Sequence, residues 1–270
     1  AQVMLVRGLF ATTLVGALAW QRGALARPHA MLHPMVATRV AGEASATVAY
    51  FIALSHLPIA NVSAVQQALP LAVTMGAALF FGEYVGPRRW LAIMAGLAGV
   101  LIIVRPGFDG FNAFSLLVLL CVALCAMRDL ATRQVPQTIP TLLISATTSL
   151  AVTLVGAAMI APMGGWAPMT AGDLLLLVLG AVLLLVGYQC IIMAMRTGDI
   201  SFIAPFRYTA LLWAIFLGMI MFGDFPDLPM TVGASVIVAS GLYTLYRERV
   251  VGRGKAAAES TGPAMAPDGI

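Results

Sequence analysis

Four charged side chains lie inside long apolar stretches of this sequence: Arg7, Arg39, Glu43 and Arg207. If those stretches cross a lipid bilayer, each charge costs roughly 2.5 to 3.5 kcal/mol, so every one of them is expected to have a partner or a function. Arg39 and Glu43 are four residues apart and therefore share one face of a helix. They can form a structural ion pair or contact a ligand, and both interpretations stay open.

The buried arginines favour a ligand that carries negative charge. Arg207 lies about seven residues into its stretch, on the order of 10 Å, with no acid on its own helix face. Two cations, Arg39 and Arg207, against one acid, Glu43, predict binding of a carboxylate or phosphate by bidentate guanidinium contacts. A zwitterionic metabolite fits equally well if Glu43 contacts its cationic end. Tyr208 and Trp213 could add hydrogen bonds and stacking, although aromatic residues in such stretches more often pack.

Glu43 is the one carboxylate that lies far from the end of its apolar stretch. It is therefore the candidate for binding and releasing a proton inside the bilayer. Tyr50, two turns further along the same face, continues the polar stripe. Arg7 lies nearer the end of its own stretch and could instead extend its charge to the membrane surface.

A second polar stripe lies on another apolar stretch. Ser63, Gln67, Pro70 and Thr74 follow one another at spacings of four, three and four, so they fall on one helix face. Pro70 has no N–H, which leaves a backbone carbonyl one turn earlier without its helical partner and predicts a break in the helix. The stripe, with Gln66 beside it, either lines a polar cavity or holds neighbouring helices together through hydrogen bonds.

The composition shows that these stretches need lipid around them. Of 270 residues, 61% are hydrophobic and 10% are charged, with a mean hydropathy of +0.96, whereas an ordinary soluble domain has roughly 25% charged residues. Eleven acids and fifteen bases cannot cover the surface of a soluble fold of this length. The cations are spread over short loops without interleaved aromatic residues, so the expected partner is a lipid bilayer and not nucleic acid.

Nine apolar runs can each cross a bilayer as a helix, because roughly 20 helical residues span its core and every backbone group must be satisfied internally. The runs are 3–20, 35–56, 59–81, 90–104, 113–132, 140–160, 173–195, 200–222 and 230–246. The expected fold is an all-α polytopic membrane protein. Residues 247–270, rich in alanine, glycine and proline, are expected to form a disordered tail.

Positive charge differs sharply between loops on alternate sides of these helices. One side carries eleven arginine and lysine residues and the other only Arg105. Positively charged loops stay in the cytoplasm, so the C-terminus is expected to be cytoplasmic and residue 1 to lie on the outer side of the plasma membrane, the inner membrane of a bacterium. This orientation predicts one more helix before residue 1, absent from the sequence.

The sequence repeats weakly after 141 residues. Ala53, Ile59 and Phe81-Gly82-Glu83 recur as Ala194, Ile200 and Phe222-Gly223-Asp224, and the same shift pairs Gln66 with Arg207. An odd number of helices separates matched positions, so the second copy has the opposite orientation in the membrane. Inverted repeats are common in secondary transporters, which bind substrate near the bilayer midplane between the copies.

These features resemble the EamA-type members of the drug/metabolite transporter superfamily. The resemblance rests on Ala53-Leu54-Ser55, 60–63, Pro70, Gly82-Glu83 and the glycine-spaced run 92–104, and on second copies at Ala194-Met195, 200–205, Gly223-Asp224 and 233–241. It implies ten helices in two five-helix inverted repeats with both termini cytoplasmic, which fits a missing first helix. Arg7 matches an arginine usual in the family's second helix, and Asp224 replaces the usual glutamate with another acid.

The resemblance implies a first repeat over residues 1–108, without its first helix, and a second over 109–246. It also implies a secondary transporter that moves a small metabolite or drug-like organic solute by alternating access. Close packing for such movement is expected at Gly96 and Gly99 and at Gly233 and Gly241.

Acids at helix ends could serve as gates. Glu83 and Asp224 lie on opposite faces of the membrane in the predicted topology. They could pair with Arg88 or Arg89 on one side and Arg105 on the other, or they are solvated loop charges. A different cluster, Arg128-Asp129 with Arg133, is expected to be an ordinary surface pair at i, i+4 spacing.

A membrane-embedded enzyme and a non-transporting helper protein are the alternatives from other classes. The three histidines lack an acid and a nucleophile at recognisable spacing, so no catalytic residue is predicted. Cys121 and Cys125 are one helical turn apart without further ligands nearby, which predicts packing and neither a metal site nor a cofactor. The single lysine, Lys255, lies outside any phosphate-binding loop, so the energy is expected from a gradient, such as one of protons, or from a partner.

Overall fold

The computed structural model describes residues 1–24, 31–82, 85–105, 112–136, 138–162, 165–197 and 208–251. Within these ranges the chain forms ten α-helices and no strand. They are α1 (Gln2–Gln21), α2 (Pro34–Leu54), α3 (Ile59–Gln66), α4 (Leu69–Phe81), α5 (Pro87–Val104), α6 (Phe114–Arg133), α7 (Thr141–Ala158), α8 (Ala171–Thr197), α9 (Thr209–Phe222) and α10 (Leu228–Val251). The predicted all-α architecture is confirmed.

Six segments of the described chain are long and apolar enough to cross a membrane. They are α1, Ile59–Phe81 (α3 with α4), α5, Phe114–Thr132 of α6, α7 and Leu228–Arg247 of α10. Two shorter apolar helices, Ala171–Leu183 and Thr209–Phe222, add to them, and α2 is a 21-residue helix that carries the predicted internal charges. The chain is a polytopic membrane protein.

The helices differ from the nine predicted runs at three places. Run 59–81 forms two helices instead of one. Run 200–222 is described from residue 208 onward. The predicted tail begins inside α10, which continues through Val251, and residues 252–270 lie outside the described ranges.

The described helices belong to two compact units. The first combines Ala1–Val48 with Ala131–Thr197, and the second combines Ala49–Leu130 with the described part of Gly198–Thr261. The division therefore falls within α2 and α6. It does not coincide with residue 108, where the two predicted sequence repeats meet.

In the first unit, α1 packs closely on α7 through glycines and threonines. A Cβ atom added at Gly156 would lie 2.8 Å from the backbone nitrogen of Leu5, and one at Gly8 would overlap the hydroxyl of Thr153. The hydroxyls of Thr12 and Thr153 are 3.0 Å apart and form a hydrogen bond between the two helices. Small residues thus bring the backbones together, and a hydroxyl pair fixes their register.

In the second unit, α5 and α10 cross in antiparallel orientation through backbone contact. A Cβ atom at Gly99 would lie 2.8 Å from the carbonyl oxygen of Gly233, and one at Gly233 would lie 2.6 Å from that of Gly99. Gly96 faces Ser240, and Gly99 also faces Ile237. The close packing predicted for Gly96, Gly99 and Gly233 is present at this crossing.

In the second unit, positions that are 141 residues apart in the sequence make equivalent contacts and end equivalent helices. It maps the contact between Gly96 and Ser240 onto the contact between Gly99 and Ile237. It also maps α4 onto α9. Their C-caps, Gly82 and Gly223, both have left-handed backbone conformations, with φ of 65° and 70°, which glycine adopts without steric cost. Helices α4 and α5 thus have counterparts in α9 and α10.

An ion pair between Arg105 and Asp227 joins the C-terminal end of α5 to the start of α10. Asp227 also accepts a hydrogen bond from the backbone N–H of Met230 at 2.9 Å, so the same carboxylate caps α10. Of the two alternatives left open for Asp224, the pairing with Arg105 is not formed, and Asp227 binds this arginine instead. Asp227 takes this role because it stands at the start of α10, beside the C-terminal end of the antiparallel α5.

Asp129 is buried and does not lie on the solvated surface where it was expected. Its side-chain oxygen Oδ1 lies 2.7 Å from the guanidinium of Arg128, and the residue is 5% exposed. The last turns of α6 lie in the interior because Leu130 of that helix packs against Val73 and Ala77 of α4. The expectation of a solvated pair at this helix end is therefore wrong.

Alanine at Gly99 is expected to destabilise the protein, because its Cβ would lie 2.8 Å from the carbonyl oxygen of Gly233. Separation of α5 and α10 to relieve this contact costs about 1–3 kcal/mol. The matched control is Gly16→Ala in α1, where a Cβ would have no neighbour within 4 Å and alanine favours the helix. Thermal unfolding of the purified protein in detergent compares the two variants, and equal melting temperatures would contradict the close crossing.

Two substitutions separate the roles of Asp227. Asp227→Asn keeps a capping oxygen but removes the charge, and because this pair is partly exposed the expected loss is about 0.5 kcal/mol. Asp227→Ala also removes the cap, which adds about 1 kcal/mol. Melting temperatures at low and high salt measure the two effects. The difference between wild type and Asp227→Asn should shrink in high salt, and a larger loss for the asparagine variant than for the alanine variant would refute the assignment of the cap.

Candidate functional site

The second polar stripe lies on an interrupted helix in the second unit. Helix α3 gives way to α4 at Gln67 and Ala68, immediately before Pro70. The backbone N–H of Ala68 donates to the carbonyl of Val65 at 3.0 Å, an i to i−3 bond typical of a 3₁₀ turn. The predicted break is present, and the missing N–H of Pro70 explains its position.

Two side chains of this region are engaged in packing. Thr74 is 1% exposed, and its hydroxyl donates to the carbonyl oxygen of Pro70 at 2.9 Å. Gln66 Nε2 lies 3.7 Å from the sulfur of Cys121 on α6 and donates to it. The contact of Gln66 supports the interpretation that these residues hold helices together, whereas the hydrogen bond of Thr74 lies within α4. The half-buried members of the stripe, which stay cavity candidates, are Ser63 and Gln67.

In the first unit, a charged residue joins α2 to α7. Arg39 Nη1 donates to Thr148 Oγ1 at 2.6 Å, and the hydroxyl of Thr148 donates in turn to the carbonyl oxygen of Ile144 at 2.7 Å. Arg39 is the sixth residue of α2 and Thr148 the eighth of α7, so the contact lies well inside both helices. Thr148 is 8% exposed. Arg39 of α2 is thus joined to the interior of α7 through this hydroxyl.

Glu43 and Tyr50, which follow Arg39 on α2, have different surroundings. Glu43, one turn after Arg39, is half-buried within the first unit, and its backbone carbonyl accepts a hydrogen bond from Thr47 at 2.7 Å. Tyr50 packs against the main hydrophobic cluster of the second unit, edge-on to Phe51 with ring centroids 5.7 Å apart. The structure therefore keeps Arg39 and Glu43 on one helix of one unit, whereas Tyr50 belongs to an apolar core.

The aromatic candidates differ in their surroundings. Tyr208 is 7% exposed, and its hydroxyl occupies the space that a Cβ at Gly241 would fill. Trp213 is 63% exposed on the apolar surface of α9 and lies edge-on to Phe216. Tyr208 is thus held against α10, and the exposure of Trp213 fits contact with lipid tails.

The remaining candidates lie at or beyond the described residues. Asp224 is partly buried, and its backbone N–H donates to the carbonyl oxygen of Gly218 at 3.2 Å, in the turn that ends α9. Arg207 and Glu83 fall outside the described ranges, so their predicted roles stay predictions.

Sequence reasoning missed α7 as the partner of the charged helix. This helix has six hydroxyl residues among its 18 positions. They are Thr141, Ser145, Thr147, Thr148, Ser149 and Thr153. Such a density of hydroxyls in an otherwise apolar run was the available signal, because serine and threonine form hydrogen bonds between membrane helices.

Comparison with known proteins agrees with this architecture. The EamA-like transporter family matches residues 1–105. A riboflavin transporter of Rhizobium johnstonii is 31% identical over 216 residues, which cover 78% of this chain and 70% of the relative. An S-adenosylmethionine uptake transporter of Rickettsia bellii is 26% identical over 200 residues, which cover 73% of this chain and 67% of the relative.

A protein of known crystal structure has the same fold, with a TM-score of 0.57 and 21% sequence identity over 93% of this chain and 90% of that protein. At this identity the likeness concerns the fold alone. The relative that is 31% identical over most of both chains establishes the family. This chain belongs to the EamA-like transporter family and is a polytopic membrane transporter of a small organic solute.

Proposed function

We propose that the protein is a secondary transporter that works by alternating access between two inverted five-helix repeats. Support comes from the counterparts of α4 and α5 in α9 and α10 under the 141-residue shift. The related contacts of Gly96 with Ser240 and of Gly99 with Ile237 follow the same shift. Two copies of one scaffold in opposite orientations offer two similar conformations that open to opposite sides of the membrane.

The proposed substrate chemistry rests on the position of Arg39 within α2 and on its hydrogen bond to Thr148. It is a guanidinium well inside α2, hydrogen-bonded to the neutral hydroxyl of Thr148. A guanidinium has five N–H donors, so a carboxylate or phosphate can form charge-assisted hydrogen bonds with Arg39 beside the bond to Thr148. Glu43, one turn away, provides a contact for an ammonium group. The proposed substrate is therefore an anionic or zwitterionic metabolite.

S-adenosylmethionine carries both a carboxylate and an ammonium group, so the substrate named for the Rickettsia bellii relative fits this chemistry. Riboflavin, named for the Rhizobium johnstonii relative, is an uncharged heterocycle and is the second candidate. Its recognition would rest on hydrogen bonds and stacking. The two candidates therefore differ in whether transport depends on the charge of Arg39.

The location and energy source are part of the same proposal. The distribution of cations supports a bacterial inner membrane with the C-terminus in the cytoplasm. A proton gradient would drive transport through Glu43, the acid within α2. The relatives are named as transporters, which supports a role without enzymatic activity.

Arg39→Gln is expected to lower the uptake of S-adenosylmethionine by about tenfold or more, because the variant loses a charge-assisted contact to the carboxylate. The measurement is initial uptake of labelled S-adenosylmethionine and riboflavin into vesicles that contain the purified protein. Arg22→Gln, the same change at the exposed end of α1, is the matched control. Equal uptake by both variants would refute the substrate role of Arg39, and wild-type uptake of riboflavin alone would support the second candidate.

Glu43→Gln is expected to abolish the response of uptake to an imposed proton gradient, because glutamine has no titratable group. Exchange of substrate across the membrane at equal pH should continue, since this step needs no net proton movement. The readouts are uptake with and without the gradient and substrate exchange without it. Asp173→Asn, at the exposed start of α8, is the control. A preserved gradient response in Glu43→Gln would refute the coupling role.

A further inference from the structure

Three contacts define the register between α5 and α10. Each step of three or four residues towards the start of α5 is matched by an equal step towards the end of α10. Because the two helices are antiparallel and closely packed, this register also determines which residues approach one another beyond the crossing. The contacts are Ile103 with Gly233, Gly99 with Ile237 and Gly96 with Ser240.

The register brings two arginines to the same end of this helix pair. Arg88 lies three turns before Gly99 on α5, and it is exposed. Arg247 lies two turns after Ser240 on α10, and it is half-buried. Both arginines are therefore in line with the contact between the helices. Gly96 lies against Ser240, and the two arginines are about 10 to 12 Å from this contact along the helix axes, so they stand at nearly the same level.

The sequence around this end has an excess of positive charge. Residues 83–90 and 243–251, which include and flank it, contain four arginines and two glutamates. Ion pairs among these groups do not change the sum, so a net charge of +2 remains however they pair. The opposite end of the helix pair differs, because Arg105 is matched there by Asp227. The end that contains Arg88 and Arg247 therefore favours a partner with negative charge.

The exposed face of α5 next to Arg88 is apolar. Leu91 and Met94, the residues that follow Arg88 on this face, are both more than half exposed. Tyr243 and Tyr246 are exposed on α10 near its arginine end, and aromatic residues with a polar tip favour the boundary between lipid headgroups and hydrocarbon. A cation at the end of an apolar face matches a phospholipid, whose phosphate and acyl chains need these two environments at adjoining depths.

We propose that Arg88 and Arg247 together bind the phosphate of an anionic phospholipid whose acyl chains lie along the exposed face of α5. Each guanidinium has five N–H donors, so two arginines can share one phosphate through charge-assisted hydrogen bonds. Tyr243, one turn before Arg247, adds a hydroxyl on the same side of α10. The site lies within the second unit and is independent of the proposed substrate chemistry. The bound lipid holds α5 and α10 together at the end opposite to the ion pair that joins them.

The test measures lipid binding by the full chain in detergent micelles, with native mass spectrometry as the readout. Phosphatidylglycerol is the anionic probe, phosphatidylcholine is the lipid control without net charge, and glycerol 3-phosphate is a headgroup without acyl chains. The variants are Arg88→Gln, Arg247→Gln and their combination. Arg22→Gln is the matched control, because it removes the same charge from the exposed end of α1 in the other unit. Melting temperatures without added lipid establish that each variant is folded.

Wild type is expected to bind phosphatidylglycerol more tightly than phosphatidylcholine. Each single substitution should weaken the binding of phosphatidylglycerol about fivefold, the contribution of one arginine near an anionic lipid surface. The loss in the double variant should differ from the product of the single losses, because both arginines contact one phosphate. Phosphatidylglycerol should raise the melting temperature of wild type and Arg22→Gln, and it should have little effect on the double variant.

Equal affinity of wild type for the two lipids, or equal affinity of Arg22→Gln and the double variant for phosphatidylglycerol, would overturn the proposal. Losses that multiply without coupling would mean that Arg88 and Arg247 act separately, which contradicts a shared phosphate. Glycerol 3-phosphate bound as tightly as phosphatidylglycerol would assign the arginines to a soluble anion instead of a lipid. A dimer that excludes phosphatidylglycerol in the mass spectra would assign this face to a second copy of the chain, against the proposal.

Discussion

The hydrocarbon core of a bilayer contains no water, so every polar group of a spanning helix must find its partner within the protein. The described helices meet this constraint first by local hydrogen bonds, in which hydroxyl side chains donate to the carbonyl one turn earlier. Such pairs include Thr38 with Pro34, Thr47 with Glu43, Thr74 with Pro70, Thr147 with Leu143, Thr148 with Ile144, Thr153 with Ser149 and Thr244 with Ser240. A hydroxyl satisfied in this way keeps acceptor capacity, which a second helix can use.

Both units hold helices together through close contacts at glycine, because lipid tails are as apolar as the side chains and provide no hydrophobic driving force for association. The first unit adds hydroxyl bridges to its contacts at Gly8 and Gly156, namely Thr12 with Thr153 and Arg39 with Thr148. The second relies on the backbone contact of Gly99 with Gly233. A hydrogen bond between side chains can hold a charged residue between two helices. Direct backbone contact at glycine leaves no room for a side chain. The bridge from a charged side chain to a hydroxyl, Arg39 with Thr148, lies in the first unit.

The apolar runs, the break near Pro70 and the glycine crossing followed from local rules of helix length, missing donors and residue size. Partners between helices did not, because a charge at one position is compatible with several neighbours until the helices are packed. Arg105 illustrates this point: Asp224 and Asp227 are three residues apart, and the start of α10 decides between them. Thr148 was missed because a threonine in an apolar run also has an ordinary packing role.

Positions related by the 141-residue shift make similar packing contacts, but they do not carry matching charges. The shift maps Arg105 and Asp227 onto Tyr246 and Gly86, which cannot form an ion pair, and it pairs Gln66 with Arg207. Two identical inverted copies would give inward-open and outward-open states of equal energy, so any preference between them must come from positions where the copies differ. The Arg105–Asp227 pair has no counterpart under the shift, and it joins helices of one unit. A free-energy difference of about 1.4 kcal/mol between the two states suffices to change their ratio tenfold.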